Sequence, residues 1–187
     1  MKRLLFVGAF AAVLRIASGV SAQDSKSLDQ SPHKVMAMQD GVWDADVTLT
    51  APGQDGKVET STSKAVETNR LVAGKWLISE FKGEMFGTPF EGHGQAGYDA
   101  KKGKYVSTWV DSMSVRIDML EGTFDAKAKT LTLNGETENP ADGKPMKLRL
   151  ETKFNDDDTR TFMYYAQMDG QKDFAKFMEI KYTKRKK

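Results

Sequence analysis

Cysteine is absent from the 187 residues, which excludes disulfides, thiolate metal sites and a cysteine nucleophile, and leaves an apolar core as the source of stability. Histidine occurs only twice, at His33 and His93, without the close spacing of a zinc motif. A metal site using both would need Glu91 or Asp111 as a further ligand and the His33 segment folded over the barrel mouth, so no metal and no cofactor is expected. No Gly-x-Ser-x-Gly elbow and no calcium-loop spacing is present. Charge of one sign is also lacking, with 28 bases against 26 acids. Near neutrality argues against a general nucleic-acid binder. The basic run Lys184 to Lys187 reads as a solvated tail in preference to a polyanion patch.

Long hydrophobic runs are missing too. The longest lies at residues 4–14, about half the roughly 20 residues a spanning helix needs. Lys2 and Arg3 precede it and Val20-Ser21-Ala22 follows with a small-x-small pattern, which together read as a secretory signal, residues 1–22. Export to the periplasm or beyond is expected, with no stable membrane insertion once the signal is removed. Removing 22 of the 187 residues leaves 165, enough for one domain with a sizeable core, and the acid–base balance becomes 25 bases against 26 acids. Residues 23–32 read as a flexible lead-in and residues 33–187 as a single domain.

What is present is alternation. The segment His33 to Asp40 suggests one or two helical turns, a lid or plug, ending before Gly41. From there Trp43, Ala45, Val47 and Leu49 alternate with polar residues, the period of a half-buried strand. Similar runs follow at 58–71, 75–82, 90–98, 104–111, 115–121, 130–136, 146–154, 159–168 and 174–183. Short turns rich in Gly, Asn, Asp and Pro separate them. Ten strands joined this tightly predict an all-β, antiparallel up-and-down meander that curls into a barrel preceded by a short helix.

Gly41-Val42-Trp43 opening the first strand after a helix resembles the start of the lipocalin-like, or calycin, barrels. That resemblance implies a tryptophan closing the barrel bottom, with Lys184 or Arg185 packed on its ring. The wider pattern adds His33, Gly74-Lys75-Trp76-Leu77, the segments 87–90, 94–99 and 105–113, and Met178 to Tyr182. Together these resemble the bacterial family named domain of unknown function 1579, over nearly all of the mature chain. The family implies a fold and no activity.

Candidate site residues concentrate between Gly87 and Met113. Glycine at positions 92, 94 and 97 weakens a strand unless backbone or another group approaches closely. If Phe90 points inward, Gly92, Gly94 and Ala96 share its face, whereas Glu91, His93 and Gln95 share the other. On the next strand Tyr105, Ser107, Trp109 and Asp111 share a face that suits a partly polar pocket. Across the hairpin, His93 or Gln95 stands opposite Trp109 and Asp111, so Asp111 either pairs with His93 or caps the turn to Ser114. Trp76, Tyr98, Trp109 and Tyr164 are the candidate wall residues. Ten methionines suit gap filling or an adaptable pocket, with Met36, Met38 and Phe86 as a soft entrance. Two functions follow: a non-enzymatic binder of a small, largely apolar ligand, or an enzyme using His93 with Asp111 or Glu91 for proton transfer.

Overall fold

Short polar turns leave each alternating segment little choice but to pair with its sequence neighbours, and the computed structural model, which describes residues 32–52, 57–139 and 142–186, has that arrangement. The expected signal 1–22 and the lead-in up to residue 31 lie outside the described residues. One helical turn, α1 (Lys34–Ala37), precedes ten strands. They are β1 (Gly41–Pro52), β2 (Val58–Val72), β3 (Trp76–Met85), β4 (Thr88–Asp99), β5 (Lys104–Asp111), β6 (Asp118–Asp125), β7 (Thr130–Glu138), β8 (Pro145–Phe154), β9 (Thr159–Met168) and β10 (Ala175–Lys184). All neighbours are antiparallel. The ring closes where β1 pairs with β10, from Trp43 opposite Lys184 to Leu49 opposite Met178. Closure removes the exposed edges that an open meander would present.

Alternation decides which side chains face inward. Trp43, Ala45, Val47 and Leu49 are buried between exposed Asp44 and Asp46. The buried apolar side chains fall into two groups. One lines β1 to β4 and β10, with Trp43, Val47, Phe81, Phe90 and Ile180; the other lines β3 and β5 to β9, with Leu77, Leu120, Leu133, Leu148 and Phe154. A bulge between Lys176 and Met178 puts an extra residue, Phe177, into β10, so that Phe177 and Met178 both border the interior.

The helix is a plug. Val35 and Met36 bury against the second group at the end where β1 begins. The chain after it is tied down by Trp43 Nε1 and Asn69 Nδ2, each donating to the Gln39 carbonyl at 2.9 Å, and by the Leu71 amide donating to Asp40 Oδ1 at 2.8 Å. Phe86 sits in the β3–β4 turn at the opposite end. Met36, Met38 and Phe86 therefore do not form a common entrance, because the helix closes the end of the barrel away from the β3–β4 turn.

Aspartates terminate strands as turn chemistry requires: Asp99 Oδ1 accepts from the Lys101 and Lys102 amides, and Asp125 Oδ1 from Lys127 and Ala128. The same chemistry delays the start of one strand, expected at 115–121. Asp111 Oδ1 accepts from the Met113 amide and Ser114 Oγ from the Arg116 amide, so residues 113–117 form a loop and β6 begins only at Asp118.

Candidate functional site

Because the two apolar groups line opposite sides of the ring without merging, a cavity of about 770 Å³ lies between them. Most of the surface facing it is apolar, with Leu, Phe and Met as the chief apolar side chains, and at the end away from α1 it is bordered by Phe86, Met113 and Val115, all largely exposed.

The floor is polar. Along β2 the inward positions after Ala65 are Glu67 and Asn69, and the first inward position of β9 is Arg160. Arg160 is 4% exposed; its Nη2 lies 2.5 Å from Glu67 Oε1 and its Nη1 donates to Gln39 Oε1 at 3.0 Å. The guanidinium stacks between aromatic rings, 4.6 Å from the Trp43 centroid and 4.1 Å from that of Tyr182. Burial pushes the Glu67 carboxyl up, but the Arg160 charge and hydrogen bonds from Tyr182, Arg160 and Asn69 outweigh it and hold the group below its ordinary value. Burial, then the Glu67 charge, pushes the Tyr182 hydroxyl well above its own. Of the two expected partners of Trp43, Lys184 packs on the ring at 5.1 Å, whereas Arg185 turns outward to Asp44. The arginine beneath the tryptophan, Arg160, comes instead from β9. Its signal in the sequence is a charged residue in phase with inward Phe162 and Tyr164.

Higher in the cavity stand Ser107, Trp109, Asp111 and Tyr164, the four expected pocket residues that the structure brings together. Trp109 Nε1 donates to Asp111 Oδ2 at 3.0 Å. The glycines of β4 explain how the indole fits. A Cβ built on Gly92 would lie 2.1 Å from Trp109 Cζ2, and one on Gly94 would meet the ring at 2.9 Å. The indole therefore lies against bare backbone, and glycine is what permits the contact. Gly92→Ala should expel the indole, lowering stability by about 1–3 kcal/mol in urea unfolding and shifting tryptophan emission.

The family profile "Protein of unknown function (DUF1579)" matches residues 29–184. The chain belongs to the DUF1579 family. No curated protein matches it in sequence. Among solved structures it is similar to Rv2717c from M. tuberculosis, at 11% identity and a TM-score of 0.60, over 83% of this chain and 99% of that one. That likeness concerns the fold alone. Two further structures also match: the redesigned beta barrel b11L5F_LGL, at 14% identity and a TM-score of 0.40 over 81% and 96% of the two chains, and EF1p2_mFAP2b bound to DFHBI, at 11% and 0.41 over 83% and 100%.

The remaining expected residues of this DUF1579 barrel lie elsewhere. Trp76 is on the outer wall, 44% exposed, with its ring over Gly97. Tyr98 and Tyr105 pack edge to face at 5.1 Å beside α1, where the Tyr105 hydroxyl donates to the Pro32 carbonyl; they border a separate recess at the plugged end. His93 pairs with Val110 and points outward, its side chain half exposed, with Nε2 3.0 Å from Glu91 Oε1. Asp111 pairs with Gly92 and faces the cavity, so the hairpin puts His93 and Asp111 on opposite sides of the wall. Glu80, Glu91 and His93 bring one ligand atom each within 4.8 Å of one another. Lys82 Nζ already supplies the counter-charge, 2.6 Å from Glu80 and 3.6 Å from Glu91. Among the described residues, no helix is long and apolar enough to cross a membrane.

Proposed function

We propose that the chain is an exported, non-enzymatic binding protein that holds one small, largely apolar molecule in its barrel. The observation that carries this reading is the cavity of about 770 Å³ between two apolar half-linings, within the usual range for small-molecule sites. A barrel built only for stability would merge those linings into one close-packed core. The polar groups that border the space, among them Ser107, Asp111 and Tyr164, suit orientation of a ligand. Acid–base catalysis by His93 has less support, since the carboxylates close to it, Glu91 and Glu80, share the outer wall with it.

Native mass spectrometry of the protein purified from its own host, followed by solvent extraction, tests the reading. The expected result is a chain beginning at Gln23, carrying one extra mass that passes into the organic phase, with His93→Ala retaining it. A chain without that mass that also fails to bind any neutral apolar dye would overturn the binding role, and a retained residue 1 would overturn signal removal.

A further inference from the structure

The charges that border the cavity do not cancel. Glu67 neutralises Arg160 at the floor, and at the mouth Arg116 pairs with Glu138. Asp111 and Asp118 also border the space, and neither has an ion-pair partner among the described residues. Asp111 is already oriented, one oxygen accepting from Trp109 Nε1 at 3.0 Å and the other from the Met113 amide at 2.9 Å. Asp118 stands in register opposite Trp109, and its carboxylate makes no hydrogen bond to another described residue. Two carboxylates with no basic partner leave the mouth of the cavity with a net negative charge.

The side chains around them suit one kind of counter-charge. The Trp109 indole lies against Gly92 and Gly94 and also borders the cavity, and an aromatic ring at such a place is a surface on which an organic cation rests. The Tyr164 hydroxyl also borders the space and has no hydrogen-bond partner among the described residues. Burial, then the charges of Asp118 and Asp111, push its ionisation upward, which places both carboxylates within electrostatic reach of it. A hydrated divalent ion would want more oxygen ligands than two carboxylates and an aromatic wall supply. An anionic head group would find Arg160 already neutralised and two acids near the mouth.

We propose that the ligand is an amphipathic amine, its apolar body along the leucine-lined wall and its protonated amino group against Asp111, Asp118 and the face of Trp109. This assignment presupposes the apolar-ligand reading above and adds the charge of the head group to it. Decylamine, decanol and decanoate share a tail and differ only in head-group charge, so calorimetric titration of each into the full chain separates the two readings. The protonated amine should bind about tenfold or more tighter than the alcohol, and the carboxylate more weakly than either. Asp118→Asn, nearly isosteric and without a hydrogen bond to lose, should bring the amine down to the level of the alcohol and leave the alcohol unchanged. Equal binding of amine and alcohol, or a preference that survives both Asp118→Asn and Asp111→Asn, would overturn the amine assignment and leave the apolar cavity standing. Failure of all three to bind would overturn both.

Discussion

Replacing Arg160 with alanine should destabilise the barrel by about 3–5 kcal/mol, because Glu67 then stays buried with its counter-charge gone. That is a large part of the 5–15 kcal/mol that holds a typical domain folded. The loss also has a pH signature. In the native protein the Glu67 carboxyl is held below its ordinary 4.5. Its contribution is therefore present above that value and lost as the pH falls through the folded one. Without Arg160 the burial that opposes ionisation is no longer outweighed, so the folded carboxyl rises above 4.5 and its cost disappears in acid. The stability gap between native and Arg160→Ala proteins, read from urea unfolding, should narrow as the pH falls from 7 towards 4. Arg160→Met combined with Glu67→Met removes both charges and should recover much of the loss. A single variant that costs under about 1 kcal/mol would mean that the pair is solvated and the floor of the cavity wet.

The floor is also where reading the sequence fell short. Alternation places every strand, the short turns fix the antiparallel order, and Gly41-Val42-Trp43 locates the plugged end. Sequence spacing also puts Ser107, Trp109 and Asp111 on one face, the one that borders the cavity. Glu67, Asn69 and Arg160 were missed because each is polar at an inward position, which weakens the local pattern that marks a strand's dry face. Their partners are 93 residues apart in sequence for Glu67 and Arg160, and only closure of the ring brings them together. Trp76 failed for the converse reason. A large aromatic suggests a wall residue, yet Leu77 and Phe81 take the inward phase of β3 and leave Trp76 outside over Gly97. The pairing of His93 was within one residue of the observed register, and in a sheet one residue is the difference between inside and outside.

Alkaline pH should unfold this protein through two of its cavity tyrosines. Tyr182 is 4% exposed and hydrogen-bonded to Glu67; burial, then the Glu67 charge, raises its hydroxyl well above the ordinary 10.0. Burial and the charges of Asp118 and Asp111 raise Tyr164 as well. A raised folded value means that the native state keeps its proton after the unfolded chain has lost it. The contribution of each tyrosine is thus complete below pH 10 and is lost as the pH rises from there towards the folded value. In that window each should remove up to about 1.4 kcal/mol per pH unit. The raised Lys82 and Lys176 titrate in the same direction, but both lie in solvent-exposed ion pairs that contribute little. Urea unfolding at pH 8, 9, 10 and 11 should therefore show a flat region followed by a steep fall. Tyr182→Phe removes the titrating group at the cost of its bond to Glu67, so that variant should start less stable and fall less steeply above pH 10. If its slope matches the native slope, the alkaline loss arises elsewhere and the tyrosine at the cavity floor ionises as freely folded as unfolded.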